Sequence, residues 1–265
     1  MRNCPNCGSE KQVIKIRENE FIIVQCSACG LVFIQNPPDE REIYENYYDI
    51  SFKPEDYCSK SRFSHLSEIF EINRQRLELI RNLKLSGGIL DIGCGSGFFL
   101  KTASDVGLKG HGIDVSKKAL ALARDGFGLN VSDRTTGDLL KENERYNIIT
   151  LWHVLEHFLN PVEELKKIHG LLTEKGCCLI EVPNFNSVKF RFSNNKWKGG
   201  NHPLYHRSFF TSSTLSQTLK LSGFSRIKRL NVSYILDSKS IFYNTAKKLF
   251  NLAGMDTFLN FIAYK

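Results

Sequence analysis

The chain has 265 residues, 36 basic and 28 acidic side chains, a formal net charge of +8 and 42% hydrophobic residues, an ordinary balance for a globular protein with one full core and room for a small extra module. No apolar run approaches the about 20 residues of a membrane span, and Met1-Arg2-Asn3-Cys4-Pro5 is followed by no apolar core of a secretory signal, so a cytoplasmic location is expected. Eight cysteines, half of them in two tight pairs near the N-terminus and the rest scattered, do not form the dense framework of a small secreted disulfide protein.

Three parts are expected: a cysteine module over 1–38, a helical connector over 39–86 containing Tyr44, Tyr47 and Tyr48, and an α/β domain over 87–265. In the first, Cys4-Pro5-Asn6-Cys7-Gly8 and Cys26-Ser27-Ala28-Cys29-Gly30 are matched knuckles, each aiming two sulfurs at one centre. Eighteen residues separate Cys7 from Cys26, a zinc-ribbon spacing. Four thiolates, from Cys4, Cys7, Cys26 and Cys29, would close a tetrahedral Zn2+ shell with no open position, a structural rather than catalytic site. Iron could occupy the same sulfurs. Val13–Ile16 and Phe21–Val24 read as the ribbon strands.

The third part alternates strand and helix patterns, which implies a mostly parallel sheet. Ile89–Ile92 reads as a strand, Phe98–Val106 as a helix, Gly110–Asp114 as a strand and Lys117–Arg124 as a helix. Tyr146–Trp152 is a strand, Pro161–Leu172 a helix with proline in its first turn, and Cys177–Val182 a buried strand. Thr211–Leu221 is helical up to Gly223, and Phe224–Tyr234 and Leu259–Tyr264 are the last two strands. Between them, Ile241, Phe242, Ala246, Leu249, Phe250 and Ala253 recur at helical spacing. This 238–254 helix is expected to pack on the domain or a second subunit, or to lie on a membrane surface.

Asp91-Ile92-Gly93-Cys94-Gly95-Ser96-Gly97 follows a strand and opens a helix. Its glycines let the backbone turn sharply and approach a ligand closely. The dinucleotide pattern G-x-G-x-x-G fails, because Phe98 follows Gly97. Asp114 ends the next strand, where a carboxylate can accept from ribose hydroxyls, and Asp138 stands at a loop where it could accept from an adenine amino group.

With these motifs the chain resembles class I S-adenosylmethionine-dependent methyltransferases. The resemblance rests on Ile89 to Gly97, on Gly112-Ile113-Asp114-Val115-Ser116, and on Leu172-Thr173-Glu174-Lys175-Gly176. It implies a seven-stranded Rossmann-like methyltransferase sheet and S-adenosylmethionine as cofactor. Asp91, Gly93, Gly95 and Gly97 would hold the methionine part, Asp114 the ribose and Asp138 the adenine. Asn147 stands where many members carry Asp. The ribbon, the tyrosine-containing connector, Val154-Leu155-Glu156-His157 and Val182-Pro183-Asn184 are similar to a bacterial subgroup linked to surface polysaccharides and secondary metabolites. The antibiotic deoxysugar C-methyltransferases resemble it more distantly.

Methyl transfer needs a nucleophile held about 3–3.5 Å from the methyl and, for a hydroxyl or carbon acid, a base. Trp152, His153, Glu156 and His157 follow the fourth strand of the domain and should face the sulfonium, with Trp152 at the cofactor. His153 is one candidate base. His206, in Asn201-His202-Pro203-Leu204-Tyr205-His206-Arg207, is the other, matched by resemblance to a base of the sugar enzymes. The Glu156-His157 pair is also similar to one in ubiquinone-pathway O-methyltransferases, but His153 replaces an oxygen ligand that a hard magnesium site would want.

Residues 182–236 contain no Asp or Glu but include Lys189, Arg191, Lys196, Lys198, Arg207, Lys220, Arg226, Lys228 and Arg229. That basic stretch suits an anionic small-molecule acceptor, a nucleotide-sugar or glycan precursor, with peripheral membrane contact as an option. The alternative is an RNA methyltransferase gripping phosphates with ribbon and basic face. Against it, Leu151-Trp152-His153-Val154 lacks the Asn/Asp-Pro-Pro-aromatic run of base-amine enzymes. A binding module without catalysis is the third reading, opposed by the intact glycine loop and Asp114.

Overall fold

Short apolar runs bounded by glycines build two sheets in this protein, here seen in a computed structural model that describes residues 2–18, 20–38, 64–187, 190, 205–235, 244–245 and 256–265. The connector tyrosines, Cys58, residues 188–189 and 191–204, and the expected helix over 238–254 apart from residues 244–245, lie outside the described residues.

The first sheet contains β1 (Gln12–Glu18), β2 (Phe21–Cys26) and β3 (Val32–Ile34) as an antiparallel meander. Its fourth strand, β9 (Ser208–Phe209), comes from far along the chain and pairs antiparallel with β3.

The second sheet has seven strands: β4 (Ile89–Ile92), β5 (Gly110–Ile113), β6 (Val131–Ser132), β7 (Tyr146–Trp152), β8 (Leu172–Pro183), β10 (Arg226–Leu230) and β11 (Phe258–Tyr264). Their spatial order is β6-β5-β4-β7-β8-β11-β10. All pairs from β6 across to β8 are parallel, whereas β11 runs antiparallel between β8 and β10. This is the mostly parallel seven-stranded methyltransferase sheet. All four residues of β4 are buried, as expected of a parallel strand covered on both faces. The chain winds outward from β4 through β5 to β6 and then returns to β7 on the other side of β4. Such a switch leaves a crevice at the carboxyl ends of the strands.

Among the described residues six α-helices flank the sheet: α1 (Ser64–Asn82), α2 (Phe98–Asp105), α3 (Lys117–Ala121, continued by a wider π turn over Leu122–Gly126), α4 (Thr136–Lys141), α5 (Pro161–Leu171) and α6 (Ser212–Leu221). Local chemistry sets their starts. Ser116 Oγ accepts from Ala119 N at the start of α3. Pro161 opens α5, with Glu163 and Glu164 in its first turn facing the positive helix end. Thr211 and Thr214 form a capping box on α6, which stops before Gly223 at φ +98°.

The expected boundaries after residues 38 and 86 cut through shared cores. Leu77 and Ile80 of α1 pack with Ile89, Phe99 and Leu100. Cys4, Cys26, Leu31 and Phe33 of the ribbon share one cluster with Phe210 and Leu215. The segments read as connector and ribbon therefore contribute to the same hydrophobic interior as the sheet.

A buried ion pair pins α1. Arg76, 9% exposed, donates to Glu181 of β8, which is fully buried. Removing one partner of a buried pair leaves an uncompensated charge, so Arg76→Leu is expected to cost about 3–5 kcal/mol of stability. Urea unfolding measures it, and a loss below about 1 kcal/mol would mean that the other Glu181 partners suffice.

Candidate active site

A cavity of about 300 Å³ opens at the carboxyl ends of β4, β5 and β7, within the range of small-molecule sites. Ile92, Gly93, Asp114, Val115, Asp133 and Arg134, at the ends of β4, β5 and β6, make one part of its wall, and His153, His157, Phe158, Tyr205 and Arg207, from beyond β7, make another.

The first wall is backbone held by carboxylates. Gly93 and Gly97 adopt φ +67° and +77°, in the region that side chains disfavour. A Cβ on Gly93 would stand 2.4 Å from Val154 Cγ2, and one on Gly97 2.6 Å from Leu129 Cδ1. The nitrogen of Gly95 donates to Asp114 Oδ2 at 2.8 Å, and that of Ser116 to Oδ1 at 2.8 Å. Asp114 thus locks the glycine loop to the end of β5 while lining the cavity. Burial raises its pKa, against these backbone N–H groups that lower it. Asp91 lies beneath the loop and is not among the cavity-lining residues. Its carboxylate accepts from Thr150 Oγ1 at 2.6 Å, and burial pushes its pKa up to about 7.

Asp138 lies elsewhere than expected. It is the third residue of α4, not a loop residue, and its Oδ2 accepts from Thr135 N at 3.0 Å and Thr135 Oγ1 at 2.7 Å in a capping box. Its carboxylate is occupied by the helix start and is not among the cavity-lining groups. Asp133, just after β6, lines the cavity instead. Both aspartates follow β6, and only the position of the helix start distinguishes them. The Thr135-x-x-Asp138 capping spacing was the signal available in the sequence.

Past β7, Trp152 lines the cavity beside Phe99, with the Arg76 guanidinium 4.4 Å from its ring. Its buried Nε1 has no hydrogen-bond partner among the described residues. His153 takes φ +60°, uncommon without glycine. Its Nε2 lies 3.0 Å from Glu181 and its Nδ1 3.5 Å from Glu156. Burial opposes a charge on this ring, but the two carboxylates outweigh it and push the pKa up to about 9. The two carboxylates therefore favour the protonated form of this ring over its free base.

His206 is 8% exposed and does not line the cavity. It stacks edge-on behind His157, ring centroids 4.9 Å apart. His157 does line the cavity, and its Nδ1 stands 2.9 Å from the Tyr205 carbonyl. A carbonyl only accepts, so Nδ1 carries the proton and Nε2 offers a lone pair.

Two donor groups among the described residues could hold a metal. The Cys4, Cys7, Cys26 and Cys29 sulfurs all lie within 4.8 Å of one another, with Cys4–Cys29 at 3.5 Å and Cys7–Cys26 at 3.6 Å. Thiolates about 2.3 Å from a tetrahedral ion would be about 3.8 Å apart, so this set fits such an ion. The second is Glu156, His157 and His206.

Of the described basic residues in the stretch, Arg207 is buried, Arg229 pairs with Asp256 and Arg226 stacks 3.9 Å from the Tyr264 ring, while Lys220 and Lys228 are exposed. Lys189, Arg191, Lys196 and Lys198 lie outside the described residues.

Residues 65–228 match the methyltransferase domain family. This chain belongs to that family. It is an S-adenosylmethionine-dependent methyltransferase. It is 27% identical over 214 residues to the ubiquinone biosynthesis O-methyltransferase of Nitrosospira multiformis, covering 75% of this chain and 84% of that one. It is 26% identical over 216 residues to the same-named enzyme of Aromatoleum aromaticum, covering 76% and 87%. In fold it is similar to a SAM-dependent methyltransferase from Archaeoglobus fulgidus, with a TM-score of 0.55, 19% identity and coverage of 86% and 100%. It is also similar to the plantazolicin methyltransferase BpumL in complex with SAH, with a TM-score of 0.54, 21% identity and coverage of 86% and 90%.

The His153 site makes the methyltransferase pH-sensitive. A histidine whose folded pKa lies above its unfolded value of about 6.5 stabilises the fold fully below that pH, and the stabilisation is lost as pH rises through about 9. Discounted for the solvent that reaches the ring, the effect is on the order of 1–2 kcal/mol. Urea midpoints should fall between pH 6.5 and 9 in the wild type, and His153→Gln should flatten that slope. Equal slopes would show that another group titrates.

Proposed function

We propose that this methyltransferase transfers the methyl to a hydroxyl oxygen of a small polar acceptor, a sugar or glycan precursor. The observation that carries this reading is the second wall of the cavity. It combines a histidine lone pair at His157 with the polar groups of Tyr205, Arg207 and Glu164, opposite the glycine loop. These few polar groups, set in a lining that also carries Ile92, Val154 and Phe158, can orient an acceptor through its hydroxyl groups. The relatives named ubiquinone biosynthesis O-methyltransferases support oxygen as the methylated atom. The RNA reading finds no such support, because the described arginines of the basic stretch are buried, paired or stacked.

S-adenosylmethionine supplies an electrophilic methyl on a sulfonium when bound. The cradle fits it. Gly93 lines the cavity with bare backbone at φ +67°, Asp114 lines it with a carboxylate, and Trp152 has an unused N–H. In this reading Gly93, Gly95 and Gly97 pass the backbone close to the methionine part, with Asp91 supporting them from below. Asp114 accepts from the ribose hydroxyls, and Asp133 takes the adenine-side role expected of Asp138. His157 removes the acceptor proton at Nε2, oriented through Nδ1–H to the Tyr205 carbonyl. His153 is a positioned cation, and His206 backs His157 as a supporting ring rather than a base. The four cysteines hold a structural Zn2+ in the ribbon.

The roles of the aspartates separate by calorimetry with S-adenosylhomocysteine. Asp114→Ala and Asp133→Ala are each expected to weaken binding by on the order of 1.5–3 kcal/mol, whereas Asp138→Ala should leave it unchanged. Loss of affinity in the Asp138 variant alone would reverse the adenine assignment. Mass spectrometry of metabolites trapped on the purified protein tests the acceptor class, and a bound acceptor without hydroxyl or anionic groups would overturn it.

A further inference from the structure

We propose that the metal centre of the ribbon holds in place the part of the cavity lining formed by Tyr205 and Arg207, so that the ribbon supports the acceptor subsite from outside the cavity. This rests on the zinc reading of the preceding subsection.

The connection is continuous in hydrogen bonds. Cys26 N donates to the Leu31 carbonyl at 2.9 Å, closing the second knuckle just before β3. β3 pairs with β9 through Val32–Phe209 and Phe33–Ser208. Ile34 N donates to the Arg207 carbonyl at 3.1 Å, and Arg207 Nη2 donates back to the Pro38 carbonyl at 2.8 Å. Arg207 N donates to the Glu156 carbonyl at 2.8 Å, and Tyr205 offers its carbonyl to His157. Tyr205, Arg207 and His157 all line the cavity. Phe210, directly after β9, is buried in the same cluster as Cys4, Cys26, Leu31 and Phe33.

The other wall is built without the ribbon. Gly93 and Cys94 donate to the Ile113 carbonyl, and Asp114 accepts from Gly95 and Ser116. These bonds stay within β4, β5 and their loops. Loss of the metal therefore acts on one wall and spares the other. A knuckle this small has no core of its own to keep its turn once the ligand bonds are gone. The opening then travels along β3 to β9, as a local opening of one cooperative unit.

The test uses the whole chain and needs no acceptor. Metal content is measured as purified, after stripping with a chelator and after refilling with Zn2+. At each stage amide exchange is followed across residues 205–210 and 92–97, with S-adenosylhomocysteine affinity alongside. Stripping is expected to speed exchange over 205–210 by at least about tenfold, reversed on refilling, with affinity constant within about twofold. Ile34→Pro, which removes the N–H given to Arg207 and keeps all four cysteines, should loosen 205–210 with one metal still bound. Unchanged exchange over 205–210 in the stripped protein overturns the proposal. So does loss of S-adenosylhomocysteine binding on stripping, because the metal would then hold the whole chain rather than one wall. A protein purified without stoichiometric metal overturns the zinc reading first, and elemental analysis shows that separately.

Discussion

A carboxylate without solvent stays ionised only if partners replace the water, and the architecture around the cavity turns on how Glu181 meets that demand. Arg76 reaches it from α1, His153 from the crest after β7, and Tyr234 from beyond β10. Burial would raise the pKa of Glu181, but Arg76, then His153 and Tyr234, hold it well below the usual carboxylate range. Glu156 repeats the problem one layer nearer the cavity, with the His153 imidazolium as its offset. Arg76, Glu181, His153 and Glu156 therefore alternate in charge and sum to zero. Each element that supplies a member is fixed relative to the others by the cost of leaving one unpaired.

This arrangement favours the charged form of His153, the histidine that directly follows β7. His153 is committed to two carboxylates. His157 is committed on one nitrogen only, and to a carbonyl, which fixes its tautomer without fixing a charge. Two histidines four residues apart thus acquire opposite roles from what sits behind their rings.

Much of the sheet was legible because its signals are local. β7 has the bounds its sequence predicts, and β4 and α2 differ by at most a residue. The glycine loop and Asp114 carry their geometry in residue type and order. What was not legible depends on distant partners. β9 is two residues long and has no periodicity of its own. It is a strand only because β3 offers an edge. α1 gave a helical pattern, but nothing local says that Arg76 is needed 105 residues later at Glu181. The loop placement of Asp138 was corrected for a different reason: a carboxylate near a strand end and one at the third position of a helix look alike until the helix start is known.

The pairing of β3 with β9 also bears on the order of assembly. The knuckles and the first three strands are close in sequence and can form early, since short loops close at little entropic cost. Their outer edge at β3 waits for a partner that arrives about 170 residues later, the separation seen between Pro38 and Arg207. Until then the ribbon presents an unpaired, fully apolar edge, Val32-Phe33-Ile34, to whatever strand is near. During synthesis this edge is where the chain is most open to mispairing with another copy of itself. Its rescue requires the segment that carries Tyr205 and Arg207, so a chain that has escaped aggregation at β3 has, by the same contact, brought these two residues to the cavity.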